Sequence, residues 1–510
     1  MRRCCAVLVV VLSACAHPKP PPPADVHTAR LAAADAQVRA GCLDCLVAAY
    51  REYDALRAVP AAADQAAAGT VRAAALIALR ERELGMVDEG YLQRAREAAA
   101  AHANVPIMLV KVLDIIDALP AASVGAGRPT SDVDLEKMRG VRANRDAWTD
   151  VLRTSARLDE AAASTWLAFM CNSSDARTVS REDVLAPVST FADTALIRYR
   201  TATCRAFQDD VLQSLLAADA RFREIDYSRG VSLVAKHKLD DADALFARVH
   251  EWHPAWPTLT LALANVAMTA EEFDRGLAMY EETLHYEPQA VDALLGKIRA
   301  LTYLDRHVEA IATTDELLAQ RWYVGDARYW RALNETELER YEDAWTDIEL
   351  AAKLLLNAEV PKLAGIIAYR RHELEVSRGR FELSRTRNPH DCETGFYLGL
   401  VLAEVREWPR TAEVMSDTAR CLQNAEDETK REIEEIRAST EPEPRKARKI
   451  VRREQQIANA RRMRATSWFN TAVAYYNVSR PADAREYAEK VVDDQQFGER
   501  ARELIARLNK

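Results

Sequence analysis

The sequence predicts an all-α fold built as a solenoid of stacked helical hairpins, an α-superhelix. Three observations carry that prediction. Ala242 and Gly276, Phe246 and Tyr280, and Pro254 and Pro288 each stand 34 residues apart, and a fixed period of this length marks repeated helix-turn-helix units. Gly (16) and Pro (19) are scarce in 510 residues while Ala, Leu, Arg and Glu dominate, a composition that favours helix over strand. Residues 499–508 place Ala501, Leu504, Ile505 and Leu508 on one side between charges, as the terminal cap of such an array requires. The formal charge of −9, with no face of single sign, does not point to nucleic acid.

Met1-Arg2-Arg3 is a short basic start, residues 6–12 are an apolar run of seven, and Leu12-Ser13-Ala14-Cys15 follows. Seven residues are too few to cross a bilayer, which takes about 20 as helix, so residues 1–14 read as a signal segment. The four-residue ending resembles the lipobox of bacterial lipoproteins. That resemblance implies that Cys15 is lipidated and becomes the mature N-terminus; an ordinary secretory peptide with an incidental cysteine is the alternative. Ala16, not Asp, follows Cys15, which by the same resemblance implies the outer membrane; the body is expected to face the periplasm, with surface exposure as the alternative. Residues 15–25 then form a lipidated, proline-rich spacer that holds the body about 20–30 Å from the lipid surface.

Residues 26–222 read as helical but irregular, with degenerate repeats. Helices are expected over 26–40, closed by Gly41; over 42–58, ending before Pro60; over 71–84, closed by Gly85; and over 89–102, running on toward Pro106. Gly125, Gly127 and Pro129 mark 120–130 as the clearest loop. Helices resume at 134–155, 159–171 and 181–204, the last with Ser180 as N-cap and Asp183 in the box position.

The regular array occupies residues 223–422, with units beginning near 223, 257, 291, 325, 358 and 392. The small places of their second helices hold Ala242, Gly276, Ala310, Ala344, Ser377 and Thr411, and residues 465–510 supply a seventh unit and the cap. An aromatic, a Leu-small pair and a further large residue on the first helix, then Ala, an aromatic, Ala and Pro on the second, resemble the tetratricopeptide repeat. Ser377 and Thr411 depart from its preferred Ala, and Pro is missing at the end of the third and fourth units. A small residue where helices cross lets the backbones approach to the close end of the roughly 8–10 Å range, and Phe246, Tyr280 and Phe381 are expected to fill the gap toward the next unit.

The resemblance also implies a partner groove on the inner face of the first helices: Tyr227, Val231, Leu261, Asn265, Leu295, Arg299, Tyr329, Leu333, Phe396, Leu400, Phe469 and Val473. Val231 stands where chaperone-binding members carry the Asn of a carboxylate clamp, so an extended or helical apolar segment is the expected occupant. Packing between helices is the alternative role for each of these residues.

Residues 423–464 interrupt the array as a charged helical insertion. Glu426, Asp427, Glu428, Glu432, Glu434 and Glu435 precede Arg445, Lys446, Arg448, Lys449, Arg452, Arg453, Arg461, Arg462 and Arg464 across Glu441-Pro442-Glu443-Pro444. Two prolonged helices zipped acid to base are expected; a basic arm for anionic lipid or polysaccharide, and disorder, are the alternatives.

Cys4 and Cys5 fall in the signal segment, which with Cys15 assigned leaves six cysteines, an even number for an exported chain. Cys42 and Cys45 form a CxxC at a helix start, readable as a structural disulfide, as packed thiols or as a redox pair; no neighbour completes a zinc or haem site. In the resembled repeat Cys392 opens the first helix and Cys421 closes the second, ends that an antiparallel hairpin brings together. Cys171 and Cys204 end successive helices, which antiparallel packing would set at opposite ends, so this pair is the weaker candidate. His250 and His253 lack the HExxH spacing and are expected at the surface.

No P-loop, GxSxG, GxGxxG or lytic carboxylate pair is found, so no catalytic, metal or cofactor site is expected. The reading is a non-enzymatic, outer-membrane-anchored scaffold in a cell-envelope assembly. Its partners are an envelope protein or extended peptide segment, and the membrane through the N-terminal lipid, without nucleic acid. The alternative is an enzyme of envelope polysaccharide or peptidoglycan, with the solenoid guiding substrate to a site in residues 105–220.

Overall fold

The computed structural model describes residues 26–119, 132–172, 179–204, 207–320 and 324–509, and every regular element among them is a helix. The signal segment, Cys15, the proline spacer and the 120–130 loop lie outside the described residues. The described residues fall into two units, those within 1–80, 89–118 and 144–222 and those within 81–88, 119–143 and 223–510.

The helices preceding the array are α1 (Val26–Ala40), α2 (Leu43–Leu56), α3 (Ala63–Leu84), α4 (Tyr91–Ala101), α5 (Ile107–Ala118), α6 (Asp132–Ser155), α7 (Glu160–Asn172), α8 (Arg181–Leu185), α9 (Ala195–Thr203) and α10 (Asp209–Ala218). Gly41 closes α1 at φ +71°, and a Cβ there would lie 2.7 Å from Leu196 Cβ, so glycine serves both the turn and the close approach of α9. The single helix expected over 181–204 is broken. Pro187 lacks an amide hydrogen, the chain tightens into a 3-10 turn at Ala186–Phe191, and α9 starts afresh at Ala195. Trp166 of α7 is fully buried and donates its indole N–H to the Val184 carbonyl at 2.8 Å.

The second unit holds paired helices α11 (Glu224–Ala235) and α12 (Leu239–Trp252), α13 (Pro257–Thr269) and α14 (Phe273–Tyr286), α15 (Val291–Tyr303) and α16 (His307–Gln320), α17 (Gly325–Glu337) and α18 (Tyr341–Ala352), and α19 (Glu359–Arg370) and α20 (Leu374–Arg387). Then come α21 (Cys392–Glu404) with α22 (Trp408–Ala438), and α23 (Glu443–Asn477) with α24 (Pro481–Glu489) and the closing α25 (Gly498–Leu508).

The turn inside each pair carries one left-handed residue: His237, Glu271, Asp305, Glu339, His372, Arg406 and Ser479, at φ between 56° and 61°. The next amide reaches back to close the first helix, as in Lys238 N to Leu233 O at 2.9 Å and Arg340 N to Glu335 O at 2.8 Å. These turns step by 34 residues from His237 to Glu339, by 33 to His372 and by 34 to Arg406. This repeated hairpin is a tetratricopeptide-like solenoid.

Its packing follows a rule of complementary volumes. Ala242, Ala310, Ala344, Ser377 and Thr411 are wholly buried at the crossings. Ser377 is tolerated in place of Ala because its hydroxyl donates to the Gly365 carbonyl at 2.8 Å. Sixteen residues separate a second site on each first helix from its mate on the second, and the two vary inversely. Gly230 faces Phe246, Gly365 faces Phe381 and Gly399 faces Met415. Where the second helix shrinks to Thr314, the first grows to Ile298, and both are fully buried. Phe246 and Phe381 therefore lie on the glycine of their own hairpin and not, as expected, only toward the next. Tyr280 does reach onward, and any Cβ at Gly296 would overlap its ring.

After the sixth unit α22 and α23 run on as a long hairpin of 31 and 35 residues. Glu426 is the clasp between them, accepting from Arg461 at 2.8 Å, Arg464 at 2.6 Å and Lys430 at 2.8 Å. Burial alone would raise this carboxyl, but the hydrogen bonds from Arg461 and Lys430 and the charge of Arg464 hold it down at about 2.

Candidate partner groove on the first helices

Residues four apart share one face of a helix, so Tyr329 and Leu333 of α17, Lys362, Ile366 and Arg370 of α19, and Glu393 and Tyr397 of α21 form three parallel stripes. Together with the Glu339–Tyr341 turn they line a cavity of about 330 Å3. Its floor is aromatic and aliphatic. Tyr397 stacks on Phe381 with ring centroids 5.7 Å apart, and burial, helped by the charge of Glu359, pushes the Tyr329 phenol up to about 12.

The rim is charged and unbalanced. Lys362 Nζ lies 2.8 Å from Glu359, 3.2 Å from Glu393 and 3.4 Å from Asp391. Burial would lower its pKa, but these three carboxylates raise it, so the ammonium stays charged. Glu337, Glu339, Glu359 and Glu393 line the cavity against only Lys362 and Arg370, an excess of two negative charges.

Of the twelve groove residues expected from the repeat pattern, the cavity takes Tyr329 and Leu333. Lys362 and Ile366 hold the corresponding places of the fifth unit and are absent from the expectation; the step of 33 residues between the Glu339 and His372 turns is the signal that locates them. Phe396 and Leu400 are half-buried on α21, with the Phe396 ring 5.5 Å from Tyr397. Val231, Asn265 and Arg299 are exposed, and Asn265 Oδ1 accepts the Tyr280 hydroxyl at 2.7 Å. Tyr227 packs on Trp256 at 4.6 Å, while Leu295 and Val473 lie half-buried against the core. Leu261 and Phe469 require a correction. They are 6% and 5% exposed, inside core clusters where Phe469 stacks on Phe497 at 4.9 Å, so they pack and do not face a partner.

The six described cysteines pair as Cys42–Cys45, Cys171–Cys204 and Cys392–Cys421, with Cα separations of 4.9, 5.4 and 5.6 Å. Cys171 meets Cys204 because the break at Pro187 inserts short helices that return the chain before α9, so the C-terminal ends of α7 and α9 coincide. Asp219 Oδ2 approaches Cys45 Sγ at 3.9 Å, a neighbour 174 residues distant that local spacing does not reveal. The three donors lie within 4.8 Å, but the sulfurs are bonded to each other, leaving no thiolate for a metal. His250 is half-buried and hydrogen-bonded to Glu282 at 2.8 Å, and His253 meets the edge of Trp256.

Within residues 105–220, burial raises the Glu160 carboxyl in the first turn of α7. Its neighbour Asp159 caps that helix through Ala161 N at 2.8 Å and pairs with Arg72 at 2.8 Å. Among the described residues no helix is long and apolar enough to cross a membrane.

No protein-family model matches the chain, and no curated protein does. Solved structures do. A tetratricopeptide repeat protein from Parabacteroides merdae aligns over 56% of this chain and 99% of its own, at 15% identity and a TM-score of 0.36. PilF of Pseudomonas aeruginosa aligns over 39% of this chain and 90% of its own, at 16% identity and a TM-score of 0.35. A thermophilic tetratricopeptide repeat protein from Thermus thermophilus aligns over 36% and 99%, at 16% identity and a TM-score of 0.30. The period, turns and crossings described above carry the fold without help from these likenesses.

Proposed function

We propose that the array is a non-enzymatic interaction scaffold that holds a segment of another protein against α17, α19 and α21. The observation that supports this reading is the cavity itself, an aromatic and aliphatic floor with an acidic rim. The segment it suits presents an apolar or aromatic anchor beside a lysine or arginine, because Lys362 already has three carboxylates and the rim retains negative charge. We place this activity in the bacterial envelope, with Cys15 lipidated and the body facing the periplasm, on the strength of the Leu12-Ser13-Ala14-Cys15 ending.

A photoreactive residue in place of Ile366 should crosslink one envelope protein in living cells, and the same residue at the outward-facing Val308 should not. Equal labelling from both positions, or none from Ile366, counts against the groove. Cys15→Ala should release the chain from membranes; retention in the membrane fraction would defeat the anchor.

A further inference from the structure

The α22–α23 hairpin leaves the array after its sixth unit, yet its tip meets the turns of the first three. Arg445 bonds Asp240 and, at 3.0 Å, Glu272; Arg448 reaches the same Glu272 oxygen at 2.7 Å. Arg453 joins Glu271 at 2.9 Å to Glu432 of its own hairpin at 2.7 Å. Arg452 lies 4.7 Å over the Phe273 ring and 5.2 Å over Tyr303, two rings stacked at 4.8 Å. The hydrogen-bonded pairs bridge 173 to 205 positions of sequence.

We infer that the hairpin is an electrostatic latch that fastens the sixth unit to the first three and is released by ionic strength. A solenoid holds its curvature only through neighbour interfaces, so small changes accumulate along it. A chord from one end to the other removes that freedom, and the anchoring here is guanidinium on carboxylate or on ring. Half of the Asp240 and Arg448 side-chain surface is exposed, so salt reaches these pairs. The Glu426 clasp also takes the half-exposed Arg461 and Lys430, but it keeps a third cation, Arg464, that is 13% exposed, and the hairpin around it buries Ile433 and Ile457, which salt does not screen. The tip therefore lets go while the hairpin persists, which gives a two-state element. The helices α17, α19 and α21 lie between the anchored ends, so release changes the spacing of the groove stripes. That consequence rests on the groove reading; the latch does not.

Hydrogen exchange on the full chain, read by mass spectrometry, tests this. Raising NaCl from about 0.05 to about 1 M should speed exchange at residues 239–242, 271–274 and 303–306 by roughly tenfold, while residues 426–435 stay protected. The Arg445→Gln/Arg448→Gln/Arg452→Gln/Arg453→Gln variant should exchange fast at those turns already at low salt and respond no further. An unresponsive wild-type chain overturns the latch, as does a salt response of equal size at the turns 339–342 and 372–375, which lie off the docking face. Because the wild-type salt series stands by itself, a variant that fails to fold leaves the test decisive. Loss of Ile366 crosslinking with the salt response intact would remove the groove and keep the latch.

Discussion

The irregular first unit and the regular array place their left-handed residues by different means. In the first unit those described are glycines, Gly41 closing α1 and Gly90 opening α4 as its N-cap, where the residue itself permits the conformation. In the array all seven fall on side-chain-bearing residues, His, Glu, Asp, Glu, His, Arg and Ser. A left-handed residue with a Cβ costs about 1–2 kcal/mol, so the array imposes its turns by stacking and tolerates the local penalty. The turn position is thereby freed for other work, as Glu271 shows by anchoring Arg453. Among the described residues, the first unit holds two of the three disulfides.

The sharpest way to break this comparison is to remove a covalent tie. Replacing Cys171 and Cys204 by Ser opens a bridge between residues 33 apart, and loop-closure entropy sets the loss at about 3–4 kcal/mol. Calorimetry should show the first unit's transition falling while the array's stays in place. The corresponding change at Cys392 and Cys421, 29 apart, should cost about as much by the same loop-closure account but lower the array's transition instead. A fall in the first unit's transition on that change would mean that the two do not melt separately.

A second probe lies in the array itself. Glu335 occupies a place that neighbouring units give to Ala267, Leu301, Ala368 and Leu402, and it is 4% exposed. Burial first, then the nearby Asp347, pushes its carboxyl up to about 7, against the pull of Arg331 and Arg340. The folded state thus keeps a proton that the unfolded chain releases near 4.5, and stability falls as pH rises between those values. The loss above pH 7 is up to about 3 kcal/mol. Glu335→Gln should therefore raise the melting temperature much more at pH 8 than at pH 5. A gain independent of pH would mean that Glu335 titrates alike in the folded and unfolded chain.

The same contrast explains what the sequence made legible. The period and the small residues at Ala242, Ala310 and Ala344 recur, so each occurrence supports the others, and the cap at Leu504 shows as a one-sided apolar stripe. The pairing of Gly365 with Phe381 or Ile298 with Thr314 was less visible, because complementary volumes sixteen residues apart break the resemblance between units while preserving their packing. Lys362 escaped through a one-residue shortening of the repeat. The Arg445 contacts join residues that no local pattern relates, and Asp219 beside Cys45 is of the same kind. In the first unit Pro187 stood in plain view, but its effect on Cys171 and Cys204 depends on where the chain goes afterwards.

Volume complementarity offers a third probe. A Cβ at Gly365 would come within 2.7 Å of the Phe381 ring, so Gly365→Ala should cost about 2 kcal/mol through overpacking. Adding Phe381→Leu should recover part of that loss, a coupling measurable by a double-mutant cycle in denaturant. Additive losses would show that the inverse variation along the array is incidental.

The smallest expected effect bears most directly on the comparison. Asp305 is a left-handed turn residue whose side chain is 94% exposed, so Asp305→Gly removes the local penalty while giving up little contact. If stacking imposes the turn, glycine should stabilise the array by about 0.5–1 kcal/mol, after deducting the entropy it adds to the unfolded chain. Gly41→Ala in the first unit must go the other way and by more, since the new Cβ meets both a positive φ and Leu196. Measured in the same denaturant series, opposite signs at the two turns place the information for the array's hairpins in its interfaces. A destabilising Asp305→Gly would place it in the turn residues after all.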